Sequence, residues 1–451
     1  MLLPFVRTVN AWLSDFILIL LPLAVGGFFS VQTRFIQIRA FREGLRRVLS
    51  VRGNPKERAA LVGTLGAGNF VGVAGAILRG GPGAVFWLWM FSFLGMAAAY
   101  AEAVVSVRTR SEIRDGHFRG GPVHYIAKAF GEGFATFFAF SAALAFGFAG
   151  PMAQSNAVAA TLRYAFGVPS WFTGLVLVGL CGAVFFGGVK RIASLADRLA
   201  PFAALAFLGG AAVILLARIA YLPAALWTIV KCAFAPNAII GGGYGAALKI
   251  AVSQGAKRGL FSNEAGLGSA GHAHAQSDET PHGQGVAAMT AVFFDTFVVL
   301  TVNALAIVST LYASGAPLEY GYAGAALTAF RASNLTQSAF ATVFGAGFGR
   351  AFVAADLFFL AFPAILRWNA FGRSNMTYLF GRDSAAAYRM AALIFIFLGT
   401  LAAGDLVWEL ADLFDALTLI PNACALVALC GMVLHAARQA DRERPPADPD
   451  E

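Results

Sequence analysis

Charge is what this sequence has least of. Asp, Glu, Lys and Arg make up 13% of its 451 residues, against 58% for hydrophobic types, whereas a soluble domain carries roughly 25% charged residues. That shortage excludes an ordinary soluble enzyme or binding module. Together with a mean hydropathy of +0.69 it implies an integral membrane protein with several spans. Cysteine is nearly missing as well: Cys181, Cys232, Cys424 and Cys430 sit in mostly apolar surroundings and make no metal-ligand spacing and no evident disulfide frame. They read as small buried hydrophobes. No run of Lys and Arg is interleaved with aromatics, so the formal charge of +9 does not indicate a nucleic-acid partner. The basic residues instead flank apolar runs, where they orient a chain in a membrane. A basic leader followed by a small-residue cleavage site is also lacking, and the first apolar run is therefore expected to be a retained span.

Glycine, in contrast, is plentiful where a membrane helix tolerates it least. The apolar stretch Gly63–Gly83 reads GTLGAGNFVGVAGAILRGGPG, and five of the thirteen residues from Gly63 to Gly75 are glycine. Each glycine inside a helix costs about 0.8–1 kcal/mol relative to alanine, so the backbone here is predisposed to unwind. Unwound backbone at membrane depth survives only where it is buried in protein or lines a cavity, which makes a broken helix a binding-site candidate. Small residues that let two helices approach closely give the same composition, and this stretch alone does not separate the two readings.

A span needs about 20 apolar residues, and eleven candidates follow along the chain: 11–33, 61–79, 84–106, 134–163, 170–188, 199–218, 238–256, 284–312, 350–367, 390–403 and 411–435. Most of the 33 Lys and Arg fall in or beside 34–60, 107–133, 189–198, 257–283, 368–389 and the tail. That bias predicts these segments as cytoplasmic, with the N-terminus outside and the C-terminus inside. Residues 34–60 carry eight basic and two acidic residues with apolar positions between them, as an amphipathic segment on the inner leaflet would. The connection 313–349 is expected outside, as a cover for an outer vestibule or a plain loop. The polar, Pro-rich tail from Arg438 is expected to be disordered.

Setting the first helix aside, five helices in 61–218 precede five in 238–435, so the second half enters the membrane from the opposite side. That is the arithmetic of an inverted repeat in a secondary transporter, with a peripheral segment 1–60 before it and a tail 436–451 after it. Glycine clusters open both halves, Gly63–Gly75 in one and Gly241, Gly242, Gly243 and Gly245 in the other. Gly-interrupted segments at corresponding positions point to a midplane binding site.

At Gly66, Ala67, Gly68 and Asn69 an unwound backbone would offer N–H donors to a carboxylate and carbonyls to a cation. The positive end of the following half-helix would favour the anion. The Gly241–Gly245 cluster would supply the facing half, and an amino acid, with one group of each sign, suits such a pair. Gln154, Ser155 and Asn156 form a polar patch in an apolar run; Gln154 either contacts substrate or, like its neighbours, only ties helices together. Asp295 lies well inside its span, and an intramembrane carboxylate is a functional-site candidate; the alternative is a partner for unwound backbone. Lys249 either pairs with it or snorkels to the interface. His272, His274 and His282, with Asp278 and Glu279, lie in a polar loop. An H-x-H spacing without a shaped cavity is a weak zinc signal, so neither a metal site nor catalytic residues are expected.

The strings GTLGAGNFVGVAGAI, GGPGAVFWLWM, AEAVVSVRTR, RGGPVHYI, GGVKRIA, RGLFSNEAGLGSA, DTFVV and DLVWELADLF resemble, in order, those of the alanine-or-glycine:cation symporters, the sodium:alanine symporter family. The resemblance implies an all-α polytopic protein with a leucine-transporter-type fold, 5+5 inverted helices plus one extra N-terminal helix. It implies no enzymatic activity and no cofactor beyond a coupling ion, Na+ or H+. The partners implied are a small neutral amino acid, the coupling cation and the lipid of a bacterial-type plasma membrane. Ala67, Gly68, Gln154, Gly242, Gly243 and Trp368 fall where the family contacts substrate.

The chain departs from the family at two motifs. The family usually reads G-T-G-N where Gly66, Ala67, Gly68 and Asn69 stand, and F-T-T-I-L-G-W where Phe362, Pro363, Ala364, Ile365, Leu366, Arg367 and Trp368 stand. In leucine-transporter-type folds, hydroxyls on that helix help bind sodium against the first broken helix, and Pro363 and Ala364 have no side-chain oxygen. Arg367 puts a fixed cation one turn from Ala364, either in the vacated position or simply as a basic residue at the cytoplasmic end. Asn369, Ala370 and Arg373 replace Ser, Tyr and Glu of W-S-Y-Y-G-E-R, and Pro151 stands where Asn is usual. The expected function is import of alanine or glycine by alternating access, with ion coupling involving Asn69, Asp295, Ala364 and Arg367 and one sodium site degraded. A proton-coupled or uncoupled carrier of shifted specificity, or a non-transporting amino-acid sensor on the same scaffold, are the alternatives.

Overall fold

The computed structural model describes residues 2–49, 65–114, 117–187, 190–235, 244–277, 279–312, 316, 318 and 330–443. These residues are overwhelmingly helical, because apolar runs without water to hydrogen-bond their backbone must satisfy it internally. A small antiparallel hairpin, Ser111–Arg114 with His117–Arg119, is a departure from the all-α expectation. Among the described residues nine helices are long and apolar enough to cross a membrane: Leu2–Gln32, Gly83–Thr109, Glu132–Phe166, Ser170–Gly187, Arg198–Ala217, Pro281–Leu311, Ala346–Phe380, Arg382–Leu401 and Gly404–Ala428.

Two of the eleven apolar runs are of another kind. The run 61–79 is described from Leu65, as a π-helical turn Gly68–Gly72 leading into Val73–Gly80. The run 238–256 becomes the helix Tyr244–Asn263, which extends past its expected end and buries Lys257 and Arg258. Both are short or polar for a lipid-facing span, and both lie against the helix Gly83–Thr109 or one another. Glycine permits that approach: a Cβ on Gly255 would come within 2.6 Å of the Ala84 carbonyl, and on the separate helix Pro281–Leu311 one on Gly285 would come within 2.6 Å of the Tyr100 ring.

Burial sorts the long helices into two layers. Gly83–Thr109 is 67% buried over its apolar window, and Glu132–Phe166, Ala346–Phe380 and Gly404–Ala428 are each 61% buried, whereas Ser170–Gly187 is only 28% and Arg382–Leu401 33%. The outer helices present Trp171, Phe172, Leu175, Phe202, Leu205 and Ile394 outward, a surface that only a bilayer can accommodate.

Two segments differ from their expected form. Within 313–349 the helix Ala332–Phe344 packs inward, burying Asn334, Thr336 and Gln337, so this connection is part of the bundle. The helix Cys430–Glu443 carries residues 438–443 of the tail expected to be disordered, and Asp441 pairs with Arg39 at 2.8 Å. Cys181 and Cys232 are buried, but Cys424 is exposed and Cys430 half-buried; all four thiols are free. The basic segment after the first helix is helical over Ile36–Arg39 and Phe41–Leu49, with Arg47 paired to Glu279 at 2.9 Å.

Candidate functional site

The first candidate break is described from Leu65, residues 50–64 lying outside the described residues, and neutral side chains seal it. Leu65 and Gly66 are non-helical, and the wide turn Gly68–Gly72 follows Ala67. Two of the break's N–H groups are paired with side chains: Gly66 donates to Asn69 Oδ1 at 3.0 Å and Ala67 to Gln154 Oε1 at 2.8 Å. The carbonyls are served as well, Asn69 O by the Asn303 amide at 2.7 Å and Phe70 O by the Thr336 hydroxyl at 3.2 Å. Gln154 is therefore drawn to this break by its backbone, with no room between them: a Cβ on Gly66 would lie 2.9 Å from the Gln154 amide. Its neighbours in the polar patch do less. Asn156 ties its helix to the Gly399 and Ala402 carbonyls, and Ser155 bonds its own helix at Met152.

The expected second break, at Gly241–Gly245, falls largely outside the described residues, and a turn further along the chain meets the first. Gly242 and Gly243 lie outside the described residues, and Gly245 sits in a helix with open space around it. The chain turns at Glu264, Gly266 and Gly268, with φ of 56°, 93° and 88°, before helix resumes at Ser269–His274. The left-handed conformation costs glycine nothing but costs a residue such as Glu264 about 1–3 kcal/mol. Residues Lys257 to Ser269 therefore belong to the buried interior and not to a polar loop. Glu102, an acid within an otherwise apolar helix that sequence reasoning passed over, holds this turn. Its Oε1 accepts from the Gly268 N–H at 2.9 Å and from the Asn422 amide at 2.7 Å, and Asn422 also donates to the Gly266 carbonyl at 2.7 Å. The rule that singled out Asp295, a carboxylate inside an apolar run, applies equally to Glu102.

The two breaks touch. A Cβ on Gly68 would lie 2.7 Å from Ser262 Cα. Asp295 joins them, accepting from Asn69 Nδ2 at 2.8 Å and from the Ser262 hydroxyl at 2.9 Å, with the Thr296 hydroxyl at 3.3 Å. It stands in a second π-helical segment, Phe294–Leu300, and a third, Ala145–Ala149, places Phe146 against the Trp368 ring at 6.0 Å. Such wide turns recur at functional sites, and nothing in the sequence announced the latter two. Lys249 does not pair with Asp295: it lies 3.8 Å from Asp15 and is more than half exposed.

Trp368 fills the flank of the second break. Its indole N–H donates to Glu264 Oε1 at 2.6 Å, its ring meets Phe261 edge-on at 5.3 Å, and Gly150 leaves no space for a Cβ beneath it. Arg367 neither points away at the helix end nor stands free beside Ala364; Nη2 donates to the same Glu264 oxygen at 2.6 Å. Ala364 is buried and brings no oxygen. A cleft of about 80 Å³ lined by Asn263, Glu264, Ser269, His274, Arg367 and Phe371 adjoins this pair. Above the break, Arg258 is buried against Asp412 with its guanidinium 4.6 Å from the Trp408 ring, and Lys257 pairs with Asp15 at 2.6 Å. The three histidines are dispersed. His272 stacks on Phe371 and meets Asn375, His274 bonds Gln284, and His282 lies between Tyr100 and Glu43; Asp278 lies outside the described residues.

Backbone donors and acceptors at two touching breaks, with one carboxylate between them, are suited to holding a small dipolar molecule and a cation. Comparison with known proteins agrees with that chemistry. The sequence profile of the sodium:alanine symporter family matches residues 1–447. The chain is 36% identical to a Bacillus subtilis protein named as a candidate sodium/proton-dependent alanine carrier, over 98% of this chain and 93% of that one. It is 35% identical to a sodium/alanine symporter of Methanococcus maripaludis over 95% of each chain, and 33% identical to a candidate sodium/glutamine symporter of Bacillus subtilis over 96% of this chain and 90% of that one. The chain belongs to the sodium:alanine symporter family and is a transporter, not an enzyme.

Proposed function

We propose that this protein imports small neutral amino acids, alanine and glycine, by alternating access, in symport with a cation. The observation that carries this reading is the contact between the two breaks, with Asp295 bonded to a side chain from each. The substrate carboxylate takes the N–H groups of Gly66 and Ala67, displacing Asn69 and Gln154, which hold those donors in this structure. Because each displaced bond is replaced by a charge-assisted one, binding costs little polar desolvation. The ammonium faces the carbonyls of the second break, and Trp368 closes one side. The lack of space at Gly66, Gly68 and Gly150 favours a side chain no larger than a methyl group.

The cation is sodium bound near Asp295 and Asn69, since Pro363 and Ala364 leave the usual hydroxyls missing. The membrane is a bacterial-type plasma membrane, with the N-terminus outside and the C-terminus inside as the Lys and Arg bias indicates, and the helices form a 5+5 inverted repeat. The relatives' names support an amino acid and sodium, and the glutamine relative makes specificity the point to test. Uptake by proteoliposomes, with all twenty amino acids as competitors and sodium replaced by lithium or choline with and without a pH gradient, checks each part. Alanine and glycine should compete best and flux should require sodium. Alanine binding without counterflow would leave a sensor in place of a carrier.

A further inference from the structure

We propose that Arg367 is a tethered counter-cation for Glu264, standing in for a sodium ion that this carboxylate would otherwise bind. The inference deepens the transporter reading by assigning the charge that one site contributes, and it rests on that reading only for its consequence in transport. Glu264 is 3% exposed and held in a left-handed turn at the second break. A carboxylate so buried requires a cation partner or must give up its charge. Arg367 Nη2 at 2.6 Å is that partner, and the Trp368 indole at 2.6 Å fixes the same oxygen from the other side.

One turn before Arg367 on the same helix stand Pro363 and Ala364, which bring no side-chain oxygen. Oxygen ligands that a soluble cation needs are missing, and a guanidinium that cannot be deprotonated supplies its charge permanently. The adjoining cleft of about 80 Å³, with Asn263, Ser269 and the Glu264 carboxylate on its wall, provides oxygens and space for a small ion once the guanidinium is withdrawn. The pair carries no net charge with Arg367 in place and one negative charge without it. Each turn of the transport cycle therefore moves one cation fewer than it would with glycine at this position.

Purified protein unfolded thermally in rising NaCl, against choline chloride at equal ionic strength and with no amino acid present, tests this. Arg367→Gly should gain a sodium-specific rise in Tm of about 2–5 °C beyond whatever wild type shows, since an ion binding only the folded state stabilises it by mass action. Glu264→Gln combined with Arg367→Gly should return to the wild-type response, and Arg367→Lys should never leave it. If Arg367→Gly does not purify, Arg367→Gln, which keeps a donor to Glu264 without the charge, carries the same expectation. In proteoliposomes the Gly variant should move one more sodium per alanine, read from the reversal potential. An equal sodium response in wild type and Arg367→Gly, or an increment that persists when Glu264 is Gln, overturns the proposal. Absent alanine counterflow would sink the transporter reading alone, because the thermal measurement contains no amino acid.

Discussion

The two helix breaks meet the same requirement with different chemistry. At the first, glycine lets the backbone part, and amides and hydroxyls satisfy it: Asn69, Gln154, Asn303 and Thr336. At the second, ionisable side chains do the holding. Glu102 takes the turn's N–H, Glu264 is clamped by Arg367, and Arg258 and Asp412 anchor the helix that enters it. Neutral bonds are cheap to exchange and buried charges are not. On the proposed function, the first break is the half that re-pairs with substrate, and the second is the fixed wall against which it does so.

The largest effect should come from stripping one charge out of the second break. Asp412→Ala leaves Arg258 buried without its acceptor and should cost about 3–5 kcal/mol of stability, seen as a lower Tm in detergent. Replacing both partners (R258M/D412L) should restore most of it. A wild-type Tm for Asp412→Ala would mean that charge is not what holds this half. Next, Asp295→Asn keeps the shape of the link between the breaks but removes its charge. We expect kcat/KM for alanine to fall about 100-fold, near 2.7 kcal/mol of transition-state binding, with Tm almost unchanged; equal losses in both would make Asp295 a structural strut. In the first break, Gln154→Leu leaves the Ala67 N–H without its acceptor, at about 1–3 kcal/mol. Because the proposed substrate carboxylate takes that N–H in place of Gln154, this should appear as a lower Tm of the ligand-free protein and a 5- to 100-fold tighter alanine Kd (about 1.4 kcal/mol per tenfold); a weaker Kd would mean that Gln154 itself holds the substrate. The smallest effect belongs to Asn156→Ala, which removes a helix tie outside the breaks: about 1 kcal/mol of stability and unaltered uptake.

The same contrast explains what could be read from the sequence. The first break was legible because five glycines crowd an apolar run and their entropy cost forecasts unwinding. Gly241, Gly242 and Gly243 of the second cluster lie outside the described residues, and the turn at Glu264–Gly268 is not marked by such a cluster. Gly266 and Gly268 turn the chain by left-handed backbone, while Gly255 and Gly285 are present only for close packing, and one letter serves both uses. Lys257 and Arg258 looked like the start of a loop, since charge normally marks the membrane's edge; paired with Asp15 and Asp412 they lie inside. Gln154 meets the Ala67 N–H and Trp368 meets Glu264. Arg367 lies there too, but its partner, Glu264, depends on a turn that no local pattern encodes.

Everything turns on the two breaks meeting at the binding site, and Gly68 is where they touch. Equilibrium binding of radiolabelled alanine to purified Gly68→Ala, beside Gly209→Ala as a control with open space at its Cβ position, tests that contact. A methyl group driven against Ser262 should push the breaks apart and weaken alanine binding at least 100-fold in protein that is still folded by Tm, with Gly209→Ala unchanged. Wild-type affinity in folded Gly68→Ala would show that the substrate binds somewhere other than between the breaks.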